Sequence, residues 1–583
     1  MAIATTHGSP QFPAAANSMP PSDRETLDAA VRDLRAHADA WVGVAVPERI
    51  ALVDALMRDL WASSPRWVEA CLHAKGLGAQ VAGEEWAIGP YTLMKALRQT
   101  RGALADIARS GAPRVPGSVT ARPNGQVVAR VFPQTRYDAL LFTGVTGDVW
   151  MQPGITRETL AQSQALAYRD KQHAGRVALV LGAGNVSSIG PLDILYKLFV
   201  EDQVVVFKSN PVNDYLGPIF ADALRALVGP GYLRLVYGGA AEGSYLCLHP
   251  DVDEIHITGS DKTYDAIVWG PGDEGAARKK IGAPLLSKRV TGELGNVSPV
   301  IVVPGPWSAG DIAYQAAHLA SSLVTNAGFN CNASRVIVTH EGWGQRPELL
   351  DALRRTLAAV PPRLAYYPGA EVREQRFREA HPEAEQLGTI SADGGMRPWT
   401  LIPGVSADNP DDICFTTEAF CGLFAETPLA ASNAAQFLDR AVAFCNDQLW
   451  GTLNATILVH PRSLKEPAVA AALEHAQTNL RYGTVGINYW AGTAFTMGVL
   501  PWGAYPGHTA EDIQSGNGVV HNTLMFSRPQ KSLLRGPWRS TPTPPWFVTR
   551  RKAAGAVFPR LTALELAPSP AKLPGILRAA ITG

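Results

Sequence analysis

Cys331 lies in Asn326-Ala-Gly-Phe-Asn-Cys-Asn-Ala-Ser-Arg335, a small, glycine-punctuated turn between a helical pattern and the apolar run Val336–Val338. A cysteine delivered to a turn can be reached by a substrate. Upstream, Lys288–Pro299 carries Glu293 in what reads as a loop leading into the strand-like Val300–Val303. A thiol with a general base suits acyl transfer, because the base can take a proton from the nucleophile or from water. Cysteine is also among the most buried residue types, so the weight falls on the company these two residues keep.

Together the two segments resemble, in order and spacing, the glutamate and cysteine signatures of the aldehyde dehydrogenase superfamily. Gly182-Ala-Gly-Asn185 follows an apolar strand but is a poor dinucleotide fingerprint, since Ser187 stands at the third glycine of G-x-G-x-x-G. The resemblance instead gives Asn185 a side-chain amide that helps the backbone N–H of Cys331 hold an oxyanion, against the plainer reading of a helix cap. Lys208 is similar to the lysine that contacts the adenosine ribose. Pro211 replaces the glutamate of members that strongly prefer NAD, so the implied cofactor is NAD or NADP, with NAD slightly favoured by the superfamily's habit. Gly259 and Ser260 resemble the turn that offers a helix N-terminus to the pyrophosphate. Tyr264 stands where the family usually has glycine, and is expected to narrow that groove or shift the pyrophosphate. Leu294, next to Glu293, joins the cofactor-binding set. Glu418 and Phe420 resemble a Glu-x-Phe motif that binds the nicotinamide ribose and packs near the nicotinamide. Gly483–Asn488 and Pro501–Gly507 match the last shared segments, so the resemblance runs over about 22–540 and is best over 177–338.

The implied reaction is oxidation of an aldehyde to a carboxylic acid with NAD(P)+. Cys331 forms a thiohemiacetal and then a thioester, and Glu293 activates the water that hydrolyses it. A CoA-acylating aldehyde dehydrogenase or acyl-CoA reductase is the alternative. Members of that kind commonly lack the glutamate, so Glu293 favours hydrolysis. A non-catalytic nucleotide-binding or structural relative is the alternative of another class, opposed by intact Cys331, Glu293 and Asn185.

These residues need elements to position them. Residues 1–21 read as a disordered leader. Ser22–Glu25 has the form of a capping box, with Leu27, Val31, Leu34, Ala38 and Trp41 at helical spacing behind it, and a second amphipathic helix after Pro47 would bury Ile50, Val53, Leu56, Leu60 and Trp61. Residues 22–125 form an N-terminal helical part of the cofactor domain. Residues 126–175 hold an arm and insertion, with strands at 126–132 and 137–142 around a polar turn. Short apolar runs alternating with helical patterns over 176–292 read as a Rossmann-like parallel sheet covered on both faces. Residues 293–490 follow as a second α/β domain, the catalytic one, then 491–540 as a C-terminal arm and 541–583 as a tail without a functional reading, entered through a proline-rich linker. The fold class is therefore α/β and aldehyde dehydrogenase-like: two doubly wound domains plus a small β oligomerisation arm.

The 583 residues are 46% hydrophobic and carry 52 basic and 52 acidic side chains, so no net field selects nucleic acid or an anionic membrane. The six cysteines show no CxxC pair and no metal-ligand spacing, which reads as a reducing compartment without structural zinc. No apolar run approaches the ~20 residues of a membrane span, and Met1–Pro21 lacks the form of a signal peptide. The expectation is a cytoplasmic homodimer or homotetramer acting on a small-molecule aldehyde, with no metal. The fourteen tryptophans, Trp450, Trp490 and Trp502 among them, are compatible with a bulky or apolar one.

Overall fold

The computed structural model describes residues 7–170, 173–389 and 395–583. Residues 1–6 of the expected leader, 171–172 of the arm and insertion, and 390–394 of the catalytic domain lie outside the described residues.

Five parallel strands form the smaller sheet, in the spatial order Leu233–Val236, Val204–Lys208, Val177–Leu181, Glu254–Gly259, Arg289–Leu294. The strands Val177–Leu181 and Val204–Lys208 are buried throughout, as expected for a sheet covered on both faces. Strand order reverses beside Val177–Leu181, and ligands of such sheets bind at the carboxyl ends of the strands next to that switch. Glu293 belongs to the fifth strand, not to a loop, so this sheet extends past the expected boundary at 292 and includes Leu294.

An eleven-stranded mixed sheet carries the second unit. Its parallel centre includes Ser298–Val302, Ser334–His340, Leu423–Leu429, Asn454–Leu458 and Thr484–Ile487, with Cys331 just before Ser334. The arm differs from its expected form. Its strands are Val127–Phe132 and Thr146–Met151, and residues 136–141 between them are helical. Thr135 and Asp138 form a capping box there, and buried Asp138 pairs with Lys95 at 3.1 Å, so cap chemistry overrides the strand propensity of Tyr137–Phe142. The arm then closes on its own chain: Thr146–Met151 pairs with Pro529–Arg535, which pairs with Thr484–Ile487 of the catalytic sheet.

The first helix, Arg24–Gly43, buries the expected residues but is capped by Asp23, whose carboxylate accepts from Thr26 N at 2.8 Å. Ser22 instead exchanges hydrogen bonds with the Tyr237 backbone. In Val46–Ala74 the residues Val53, Leu56 and Leu60 are buried, while Trp61 remains 37% exposed and Trp67 takes the core place.

Both chain ends are ordered where described. The region 541–583 continues into the helices Arg551–Leu566 and Leu573–Thr582. The first packs so closely on the helix Ala82–Trp86 that a Cβ at Gly83 would meet the Ala554 carbonyl carbon at 2.3 Å, so glycine is required. Its Glu565 binds Arg98 and approaches Lys95 at 3.5 Å. Residues 8–22 run as an extended segment against both sheets: Gly8 bridges Thr417, Met19 N donates to Asp214, and Ser22 meets Tyr237.

Candidate active site

The Cys331 turn begins where the helix Ala309–Val324 ends. Asn326, Ala327 and Gly328 all take left-handed backbone conformations, with φ of 53°, 57° and 79°. Such conformations cost a non-glycine residue roughly 1–2 kcal/mol each, so neighbours must enforce them. Asn326 does much of that work. Its amide oxygen accepts from Lys75 Nζ at 2.8 Å and Tyr366 Oη at 3.0 Å, its Nδ2 donates to the Asn185 carbonyl at 3.0 Å, and its backbone N donates to Glu84 at 2.7 Å. Lys75 is itself buried against Glu85 at 2.9 Å. Arg335 donates to the Gly328, Asn330 and Cys421 carbonyls and closes the turn from below.

Held in this way, Cys331 is the one cysteine that is not fully buried, and its thiol lies close enough to the Glu293 carboxyl for each to shift the other's ionisation. Glu293 is 2% exposed and accepts from Trp502 Nε1 at 3.1 Å. Burial raises its pKa from the ordinary 4.5 to about 8, with Trp502 opposing. Burial, then the carboxylates Glu293 and Glu418, push the Cys331 thiol well above its ordinary value. Near neutral pH the pair is thus a thiol beside a neutral acid, and ionised Glu293 is the group able to draw the proton from sulfur. Asn185 lines the same cavity as Cys331, with Nδ2 donating to the Phe329 carbonyl at 2.9 Å.

The residues expected to bind the cofactor lie at the strand ends of the smaller sheet and the facing edge of the larger one. Lys208 ends its strand buried, donating to the Gly238 carbonyl at 2.8 Å and the Ser209 carbonyl at 3.2 Å, and burial lowers its pKa to about 8. The Ser209 hydroxyl beside it is buried without a protein partner among the described residues. Ser260 caps the helix Asp261–Val268 after Gly259, accepting from Thr263 N at 3.1 Å. Leu294 is buried at the end of the fifth strand. Glu418 is 1% exposed and accepts from Asn296 N at 3.4 Å; burial raises its pKa to about 7, with Arg335 opposing. Phe420 adopts a left-handed φ of 42°. An orphan hydroxyl, a lysine and a capped helix N-terminus at the strand ends of the smaller sheet, with the Glu418 carboxylate coming from the larger one, fit the phosphates and ribose hydroxyls of a dinucleotide.

Two departures from expectation concern this groove. Tyr264 turns inward: it is 2% exposed and packs toward Gly292. The leader, expected to be disordered, crosses the groove. Ser9 N donates to Asp261 Oδ1 at 3.0 Å, Ser9 Oγ donates to Glu418 at 3.3 Å, and the Phe12 ring sits 5.2 Å from that of Phe420. Ser9 thus holds one oxygen of Glu418 in this structure.

Among the described residues, one donor set has a metal-like make-up, His381, Asp412 and Cys414. Both imidazole nitrogens already face carboxylates, Asp412 at 3.0 Å and Glu383 at 2.9 Å, and the bond to Asp412 leads in raising the His381 pKa, which makes the group an ion pair.

Residues 200–504 match the family model described as the aldehyde dehydrogenase family. The chain belongs to the aldehyde dehydrogenase family. It is similar to an N-succinylglutamate 5-semialdehyde dehydrogenase of Sphingopyxis alaskensis, 30% identical over 323 residues that cover 50% of this chain and 62% of that protein. A Homo sapiens 4-trimethylaminobutyraldehyde dehydrogenase is 35% identical over 140 residues, 24% of this chain and 25% of that one. The chain thus spans less than two thirds of these curated relatives. Among solved structures, an aldehyde dehydrogenase C of Pseudomonas syringae aligns over 90% of this chain and 93% of its own with a TM-score of 0.59 at 18% identity. The aldehyde dehydrogenase KauB of Pseudomonas aeruginosa covers 88% and 90% with a TM-score of 0.60 at 18% identity. At that identity they establish the shared fold.

Sequence reading named Trp502 only among the tryptophans compatible with a bulky aldehyde, not as a partner of Glu293, and missed Lys75, Glu85, Tyr366 and Ser9. Trp502 lay inside a motif already noted, Pro501–Gly507, and an indole N–H in a shared segment was a usable signal. Nothing local marks Lys75 or Ser9, whose partners are far away in the chain.

Proposed function

We propose that this chain oxidises an aldehyde to a carboxylic acid with NAD or NADP. The observation that carries the reading is the buried Glu293 carboxyl set beside the Cys331 thiol, with Cys331 and Asn185 lining one cavity. Ionised Glu293 takes the thiol proton, and Cys331 Sγ bonds to the carbonyl carbon, giving a thiohemiacetal. Charge that develops on oxygen is held by Asn185 Nδ2 and the Cys331 N–H; one such donor is worth ~3 kcal/mol of barrier. A bound nicotinamide supplies the hydride acceptor, with Lys208, Gly259, Ser260, Leu294, Glu418 and Phe420 as its holders. The hydride leaves the thiohemiacetal carbon as its C=O re-forms, giving the thioester, and Glu293 passes the thiol proton to solvent. Ionised again, it takes a proton from water, the water oxygen bonds to the acyl carbon, and the carbon–sulfur bond breaks with sulfur leaving as thiolate and the acid released.

Pro211 places no carboxylate against a 2′-phosphate, so both cofactors are admitted and NAD is slightly favoured. Glu293 at the thiol supports hydrolysis over transfer to CoA. No helix among the described residues is long and apolar enough to cross a membrane. The six unpaired cysteines suit a cytoplasmic location. A homodimer or homotetramer remains the reading for assembly; the arm's Thr146–Met151 side is taken by Pro529–Arg535, and Val119–Ala121 is the end strand of the sheet on its other side.

The test is NAD(P)H formation across an aldehyde panel, with and without CoA. Wild type is expected to be active without CoA and Cys331→Ala inactive. Equal traces for the two proteins overturn the reading, and a strict CoA requirement moves it to the acylating alternative.

A further inference from the structure

The cavity that holds Cys331 has a volume of about 480 Å³, and much of its wall comes from outside residues 200–504. The outer wall is built from residues 80–91, the 140–145 turn and the C-terminal region 537–580. An aromatic path leads from the thiol toward it. Trp490 Nε1 donates to the Asn332 carbonyl at 3.1 Å, Trp546 lies 5.6 Å from Trp490, and Phe547 lies 4.6 Å from Trp546. Phe558, Leu561 and Ile576 of the two C-terminal helices line the same space. Leu140 and Leu577 also line it, yet are 48% and 37% exposed, which marks an apolar mouth at the surface. Of the three charged residues on the wall, Glu84 pairs with Arg363 at 3.1 Å and Arg539 approaches Asp311 at 3.7 Å, while Arg551, at the start of the first C-terminal helix, keeps a buried Nη2 without a hydrogen-bond partner among the described residues.

We propose that the C-terminal helices 551–582 form the outer wall of an acyl pocket that selects medium- to long-chain apolar aldehydes over short or polar ones. This deepens the aldehyde-oxidising reading and rests on it. The size falls in the range of ligand pockets, roughly 300–1,000 Å³, and so exceeds what a two- or three-carbon aldehyde fills. A chain threading it buries each added methylene against aromatic and aliphatic surface, worth about 0.8 kcal/mol, or roughly fourfold in kcat/KM per methylene.

The experiment measures kcat/KM for unbranched aldehydes from ethanal to dodecanal in wild type, Ile576→Trp and Phe558→Ala. Wild type is expected to climb about fourfold per methylene to a mid-chain optimum. Filling the pocket in Ile576→Trp is expected to move the optimum to shorter chains, and Phe558→Ala to longer ones. In parallel, alkanal binding to the Cys331→Ala protein is followed by tryptophan fluorescence, with dissociation constants expected to fall along the same series. Turnover of ethanal with a flat chain-length profile overturns the proposal while leaving the aldehyde-oxidising reading intact. A binding slope without any turnover does the reverse. An optimum that stays fixed in both variants, each folded by thermal melting, also overturns it.

Discussion

The groove along the smaller sheet and the acyl cavity meet at Cys331 but are assembled in opposite ways. Two polar groups of the groove sit at element ends: Lys208 closes Val204–Lys208, and Ser260 caps Asp261–Val268. A short contiguous motif therefore carries its own geometry. The cavity wall instead joins residues near 80, 140, 490 and 560, brought together only by packing. Position at a strand end is a local property, whereas the shape of a wall is a tertiary one.

The largest expected effect comes from the residue at their junction. Glu293→Gln removes the base and is expected to lower kcat by about 10²–10⁴-fold. In wild type, kcat/KM should rise with pH through about 8 as Glu293 ionises, and this rise should be missing from the variant. Stability moves the other way. The folded pKa lies above the ordinary 4.5, so the contribution of Glu293 is fully present below that value and is lost as pH rises through about 8. Melting scans should find Glu293→Gln gaining on wild type across that window. A wild-type rate profile that is flat between pH 6 and 9, a range spanning that pKa, would remove Glu293 from the chemistry.

How far each region could be read in advance follows from the same contrast. Four short apolar runs from Val177 to Ile257 declare a parallel sheet, whereas the fifth strand, Arg289–Leu294, reads as a loop because Thr291, Gly292 and Glu293 interrupt its apolar pattern; Asn185, Lys208 and Ser260 fall at the strand ends. Tyr137–Phe142 misled because its aromatic and aliphatic content suggests a strand, while the Thr135–Asp138 cap and the buried Lys95 contact decide for helix. Residues 541–583 gave no functional signal because their meaning lies in Gly83, Arg98 and Trp490, none of them nearby in the chain. Glu293 and Cys331 were legible by type and order, but their contact depends on a strand end and a left-handed turn that only the packed structure supplies.

That turn provides the next test. Lys75→Met strips the partner from buried Glu85 and is expected to destabilise the fold by about 3–5 kcal/mol in chemical denaturation. Lys75→Met combined with Glu85→Gln removes both charges and should recover most of that stability. If the bond from Lys75 to Asn326 positions Cys331, the double variant keeps a lowered kcat with KM little changed. Full recovery of kcat along with stability would make Lys75 a purely structural residue.

The smallest effect separates groove from cavity most directly. Residues 8–12 hold Glu418 and Asp261 through Ser9 and stack Phe12 on Phe420, yet touch none of the cavity wall. Each hydrogen bond contributes about 1 kcal/mol net, so a chain lacking residues 1–13 is expected to show a KM for NAD lowered by about tenfold, the equivalent of ~1.4 kcal/mol. The aldehyde chain-length profile should stay as in the full chain, because its wall is untouched. A truncation that shifts the aldehyde optimum and leaves the cofactor KM unchanged would mean that the two regions are coupled, and that the leader belongs with the cavity rather than the groove.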